Sequence, residues 1–271
     1  MLGALAIAGA AYIGFVALLF FMQRAMMYHP SSVMGTPVSA GVPEMVAIRL
    51  ENKRGEKLVS WFKSASTNKP TIIFFQGNAG NIGDRGFKIR PFLDQGYGVL
   101  LVGYSGFGGN PGSPNEQGLY EDADLALTFL QRNGVAVDHW ILYGESLGSG
   151  VAVEMAARFA EAGPVGAVVL EAPFTSMGAT AQYHYPFVPA RYLVLDRYDS
   201  LSKIGRIQSP LLIVHGLRDR TAPIKFGKEL LAAAKEPKDG NWIDAAGHND
   251  LFDHGADDAV IAFINAQWMS Q

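Results

Sequence analysis

Ser146 stands in Gly144-Glu145-Ser146-Leu147-Gly148, after the apolar run Trp140–Tyr143 and before a helical segment. A serine with glycine at minus two and plus two, between a strand and a helix, has the context of a nucleophile elbow. The turn strains the serine's backbone, and glycine on either side removes side chains that would collide. A serine in front of a helix is also a common N-cap, so the motif needs partners to carry chemistry. A hydroxyl becomes a useful nucleophile when a base takes its proton and an acid orients the base. Asp219 follows in His215-Gly216-Leu217-Arg218-Asp219, and His248 in Ala245-Ala246-Gly247-His248-Asn249-Asp250, each just past a predicted strand. Order and position predict Ser146 as attacking group, His248 as base and Asp219 as its orienting acid, the set for acyl transfer. The rivals lie less well. His215 has no matching carboxylate motif, and Asp250 and His254 sit at a helix start, where capping explains an acid.

A tetrahedral intermediate also needs backbone donors. The Leu147 amide, next after the serine, is one. The other is expected from Gln76-Gly77-Asn78-Ala79-Gly80-Asn81, straight after an early strand, with Asn78 the best candidate and Ala79 next. A plain glycine turn is the alternative reading of that loop.

These residues need a scaffold that brings loop ends to one rim. Strands are predicted at Glu44–Leu50, Leu58–Lys63, Thr71–Phe75, Val99–Val102, Trp140–Tyr143, Ala167–Leu170, Leu211–Val214 and Asn241–Asp244. Helices are predicted at about 83–95, 115–133, 147–162, 224–235 and Ala256–Trp268. Short continuous apolar runs alternating with helices argue for a mostly parallel sheet covered on both faces, with ligands beyond the carboxyl ends of its strands. The segment 173–209 interrupts this rhythm with Tyr183, Tyr185, Phe187 and Tyr192, and reads as a lid or as a plain surface insertion.

Leu2 to Met22 contains no charged residue and is long enough to span a bilayer as a helix. It lacks the basic start, short apolar core and small-residue site of a cleaved signal, so an uncleaved single-pass anchor is expected. The expected organisation is an anchor over 1–23, a juxtamembrane linker over 24–43 and one α/β domain over 44–271. Arg24 after the span, with no basic residue before it, leans towards a cytoplasmic domain. Charge is nearly balanced, 22 basic against 25 acidic residues, so no nucleic-acid partner is expected. There is no cysteine, no phosphate-binding glycine loop and no histidine pair at ligand spacing, so neither cofactor nor metal is expected.

At the level of motifs the chain resembles the α/β-hydrolase superfamily. Within it, it is similar to membrane-anchored serine hydrolases of the Bem46 and ABHD13/ABHD17 type, with a serine-aminopeptidase-like domain. The resemblance rests on "QRAMMYHP", "QGNAGN", "GYSGFGGNPGSPNEQGLYEDADLAL", "LYGESLGSG", "EAPFTSM", "YPFVPARYLVLDRYDSLSKI", "SPLLIVHGLRDRTAPI" and "AAGHNDLF". It implies an α/β-hydrolase fold with Ser146, Asp219 and His248 as the triad. Three features depart from the pattern. Gln76 stands where the family loop has histidine, and its amide can still hydrogen-bond to hold the loop. Gly103 and Ser105 stand where the family often has Asp and Arg. An apolar span replaces the cysteine-rich, lipidated N-terminus of the related eukaryotic depalmitoylases, so their particular substrates do not transfer. The expected activity is hydrolysis of a carboxylic ester or thioester of an acyl or lipid-like substrate through an acyl-serine. An amidase or peptidase with the same residues, or a non-catalytic binding scaffold, is the alternative.

Overall fold

The computed structural model describes residues 1–269. Eight strands form the central sheet: β1 (Val46–Glu51), β2 (Lys57–Lys63), β3 (Thr71–Phe75), β4 (Gly98–Leu101), β5 (Trp140–Glu145), β6 (Ala167–Glu171), β7 (Leu211–Gly216) and β8 (Lys238–Ile243). Their spatial order is β8-β7-β6-β5-β3-β4-β2-β1. β1 pairs with β2 and β2 with β4 antiparallel, and every other neighbour is parallel. This is the mostly parallel sheet expected from the alternation of strands and helices.

The apolar runs are continuous because both faces of the sheet are covered. Along β3, Ile73 and Phe75 enter one core while Ile72 and Phe74 enter the other. Trp140 and Leu142 of β5 face the first core, Ile141 and Tyr143 the second. Helices α3 (Glu116–Arg132), α4 (Leu147–Phe159) and α8 (Ile224–Ala233) close the first face. Helices α2 (Gly86–Asp94) and α9 (Ala256–Met269) close the second. The edge strand β8 begins three residues earlier than expected. Its first half, Lys238-Asp239-Gly240, is polar and only partly covered, so hydrophobicity reveals its end alone.

The helix α1 runs Leu2–Met27, past the expected end at residue 23, and none of its residues is buried. The segment after it is packed against the domain. His29–Pro30 pairs with Ala79–Gly80 as a short parallel ladder, and Val42 is fully buried. A Cβ on Gly86 would lie 1.9 Å from the Ala40 carbonyl oxygen, so α2 begins directly against this segment. Two paired residues carry no periodic signal, which is why the sequence reads here as linker.

Gly103 and Ser105 have local reasons. A Cβ at Gly103 would lie 1.8 Å from the Val59 carbonyl oxygen, so the position admits no aspartate. The Ser105 N–H and hydroxyl both donate to the buried Asp122 carboxylate, at 2.7 and 3.0 Å. Burial outweighs those donors and pushes the Asp122 pKa up to about 6. The native state therefore holds this proton more tightly than the unfolded chain, whose aspartate titrates near ~3.9. The stabilisation is complete below about pH 4 and is lost as pH rises through about 6, a change on the order of 3 kcal/mol. Asp122→Asn keeps one donor and one acceptor toward Ser105 and removes the titration. The difference in unfolding free energy between wild type and this variant, followed from pH 4 to 7, should show that slope; a flat difference would refute it.

Candidate active site

Strand β5 ends at Glu145, α4 begins at Leu147, and Ser146 between them has φ 49° and ψ −113°. This positive φ is a strained conformation for a side-chain-bearing residue. The Ser146 N–H donates to the Glu171 carbonyl oxygen at 2.8 Å, which ties the turn to β6. Both glycines are required by space. A Cβ on Gly148 would stand 2.0 Å from the Phe75 carbonyl oxygen, and one on Gly144 2.5 Å from the Gly148 carbonyl oxygen. Ser146 also makes no side-chain cap to α4, which removes the N-cap reading.

The Ser146 Oγ lies 2.9 Å from His248 Nε2, and His248 Nδ1 lies 2.6 Å from Asp219 Oδ2. Asp219 follows β7 and His248 follows β8, so three parallel strands deliver the three side chains to one rim. Asp219 Oδ1 accepts the Thr221 and Ala222 N–H groups at 2.8 Å each. Burial alone would raise this carboxyl, but hydrogen bonds from His215 and His248 outweigh it and hold it well below the usual carboxylate range. An ionised Asp219 accepts the Nδ1 proton of His248 and leaves the Nε2 lone pair facing the serine. The arrangement can therefore draw a proton from Ser146.

His215, a rival in the sequence, turns out to be a second partner of the acid. Its Nε2 is 2.7 Å from the Ala222 carbonyl oxygen and 3.2 Å from Asp219 Oδ2, wholly out of solvent. Asp250 instead accepts the Gly247 N–H at 2.7 Å and so braces the His248 loop. His254 lies 3.7 Å from Asp250 and away from the serine relay.

The Gln76–Asn81 loop lies against the elbow, where a Cβ on Gly77 would be 3.6 Å from Ser146 Cβ. Asn78 and Leu147 line the same cavity as Ser146 and His248. Leu147 is the first residue of α4, where an N–H has no partner within the helix. Gln76 does not hold the loop as expected: neither polar atom of its buried side chain has a hydrogen-bond partner among the described residues. The loop is held by Glu145 and Asn78. The Gly77 N–H donates to Glu145 Oε2 at 3.2 Å, and Asn78 Nδ2 donates to the Met27 carbonyl oxygen at 2.6 Å.

Glu145 belongs to a charged cluster that sequence reading missed. Its carboxylate meets Arg85 Nε at 2.7 Å and Lys88 Nζ at 3.0 Å. Lys88 also meets Glu171 at 2.5 Å, and the Tyr143 hydroxyl donates to Glu171 at 2.6 Å. Burial would raise the Glu145 carboxyl, but Lys88 and Arg85 outweigh it and keep it ionised. Burial would likewise lower Lys88, but Glu171 and Glu145 outweigh it and raise its pKa. The available signal was Glu145 beside the serine, a charge at the end of an apolar strand.

Above Ser146 opens a mainly apolar cavity of about 530 Å³. The insertion after β6 forms one wall with α5 (Met177–His184) and α6 (Ala190–Leu193); α1 forms another. Further along, α7 (Leu201–Ile204) returns the chain to the first core.

Known proteins share this architecture. A family model described as alpha/beta hydrolase fold matches residues 70–193. An uncharacterized protein of Mycobacterium tuberculosis is 35% identical over 240 residues, covering 88% of this chain and 84% of that protein. The alpha/beta hydrolase domain-containing protein 17B of Xenopus tropicalis is 34% identical over 201 residues, 73% of this chain and 67% of that one. The chain belongs to the α/β-hydrolase family. Among solved structures, an esterase of Pyrococcus furiosus superposes with a TM-score of 0.69 at 20% identity, over 89% of this chain and 99% of that one.

Proposed function

We propose that the protein is a membrane-anchored serine hydrolase that cleaves a carboxylic ester or thioester of an acyl or lipid-like substrate through an acyl-serine. The observation that carries this reading is the Ser146–His248–Asp219 relay, with spacings of 2.9 and 2.6 Å on a strained elbow. Ser146 Oγ attacks the acyl carbonyl as its proton passes to His248 Nε2. The Leu147 and Asn78 N–H groups receive the oxyanion, where preorganised donors act most strongly. Collapse of the tetrahedral intermediate transfers the proton from His248 to the leaving oxygen or sulfur. Water, deprotonated by the same imidazole, then releases the acid and restores the serine. Asp219 remains ionised throughout and holds the imidazole. The apolar cavity supports an acyl group over a charged one, and the uncharged run Leu2–Met22 supports attachment to a bilayer.

Labelling with a fluorophosphonate tests the reading. A single adduct should form on Ser146 and disappear in Ser146→Ala, together with p-nitrophenyl butyrate hydrolysis. An active Ser146→Ala protein, or an unlabelled wild type, would sink it.

A further inference from the structure

The apolar N-terminal helix does more than precede the domain. Val16, Leu19, Phe20, Gln23, Met26 and Met27 fall on one face at helical spacing, and all six line the cavity above Ser146. From Val16 to Met27 this wall is ~17 Å long at the α-helical rise. Its lower end is fixed to the loop beside the serine by the hydrogen bond from Asn78 Nδ2 to the Met27 carbonyl oxygen.

The insertion faces α1 across the cavity and climbs with it. The Tyr12 hydroxyl donates to the Phe187 carbonyl oxygen at 2.9 Å. Tyr12 stands halfway along the uncharged run Leu2–Met22, which at the helical rise covers the ~30 Å hydrocarbon layer. With α1 in a bilayer, Phe187 therefore lies near the midplane. The exposed side chains of the insertion suit that medium: Phe187 is 88% exposed, Tyr192 72% and Leu195 52%. Between Tyr183 and Leu195 the one formal charge is Arg191, whose guanidinium lies 5.9 Å from the Tyr192 ring centroid. The polar groups of Gln23 are both used, its Oε1 accepting from the Leu195 N–H and its Nε2 donating to Phe20 and Leu193 oxygens. Both apolar segments end at the same level, where Arg24 Nε meets Asp196 at 2.8 Å and the Tyr28 hydroxyl reaches the same carboxylate. Arg24, the first charge after the uncharged run, stands where a basic residue flanks a span at the membrane–water boundary.

From this geometry we infer that the insertion is immersed in the leaflet beside α1, and that the acyl chain of a bilayer-resident substrate passes from that leaflet along Val16, Leu19 and Phe20 to Ser146. The substrate class is thus a long-chain acyl ester already dissolved in the membrane, reached sideways without crossing water. The hydrolytic step rests on the hydrolase reading proposed above; the immersion of the insertion rests on its membrane anchoring alone, which the Ile13→Cys label tests separately.

Two measurements on the full-length protein in phosphatidylcholine vesicles separate these parts. The chain has no cysteine, so single substitutions at Phe187, Ile13 and Lys53 each accept one fluorophore. Labels on Phe187→Cys and Ile13→Cys should be quenched by lipids carrying a mid-chain nitroxide and be shielded from iodide. The label on Lys53→Cys, in an exposed turn, should be open to iodide. An iodide-accessible Phe187→Cys label would overturn the immersion, whether or not the protein hydrolyses anything.

The second measurement is chain-length selectivity on monoacylglycerols in the same vesicles. Leu19→Trp should lower the ratio of palmitoyl to butyryl hydrolysis about ten-fold. Val16→Trp, further from the serine, should exclude only the longer chains, so its cut-off lies above that of Leu19→Trp. Fluorophosphonate labelling of Ser146 verifies that each variant has folded. An unchanged ratio in both labelled variants would overturn the route along α1; a wild type that neither labels nor turns over any ester would instead overturn the hydrolase reading.

Discussion

Asp219→Asn should lower kcat for p-nitrophenyl butyrate about 10⁴-fold, the scale seen when a relay of this kind is held in the wrong tautomer. The direction follows from the atoms around the carboxylate. Oδ1 is claimed by two backbone donors, Thr221 and Ala222 N–H, so the asparagine oxygen must occupy that position. The amide NH₂ then takes the place of Oδ2, facing His248 Nδ1 and His215 Nε2. His248 has to accept at Nδ1 and therefore carries its proton on Nε2, where it can only donate toward Ser146. The lone pair that should receive the serine proton is gone, although every distance can stay as it is. The Nε2–H of His215 now meets a second donor, which adds a modest loss of stability. Fluorophosphonate labelling of the variant should slow in parallel with kcat. A loss smaller than about ten-fold would mean that Asp219 does not set the tautomer, and would leave His248 to be oriented by something else.

How far the sequence reaches can be judged residue by residue. Ser146, Asp219 and His248 were legible because each follows a strand of a parallel sheet, and such strands all point the same way; order along the chain becomes position on one rim. Gly144 and Gly148 were legible because the space they preserve is local. His215 was legible only as a competitor, since nothing in one dimension reveals that two histidines share one carboxylate. Gln76 misled: its type promises hydrogen bonds, but its buried amide has no partner among the described residues, and the loop is held instead by Glu145 and by the end of α1. The contact of Tyr12 with Phe187 lies beyond pattern reading altogether, because the two residues are 175 apart and both segments are simply apolar. Sequence patterns report burial and period, whereas these features depend on which buried group meets which.

The charged cluster below the elbow is the clearest case of such pairing, and it predicts the largest structural effect. Lys88→Met should destabilise the folded protein by about 3–5 kcal/mol, the cost of removing one partner from a buried ionic group. The side chain of Lys88 is 4% exposed and its ammonium meets two carboxylates, Glu145 at 3.0 Å and Glu171 at 2.5 Å. Without it Glu145 retains Arg85, but among the described residues the Glu171 carboxylate retains only the Tyr143 hydroxyl, and two carboxylates are left side by side at low dielectric. The damage reaches the serine through two bonds: Glu171 accepts the Ser146 N–H through its carbonyl oxygen, and Glu145 holds the Gly77 N–H of the Gln76–Asn81 loop. Thermal unfolding in detergent should therefore report a lower Tm, and kcat should fall while KM for a short ester stays close to its wild-type value. Adding Glu171→Gln to Lys88→Met removes the uncompensated charge and keeps an acceptor for Tyr143, so the double variant should regain most of the lost stability. If the double variant is no more stable than Lys88→Met alone, the loss comes from packing of the lysine stem and not from its charge.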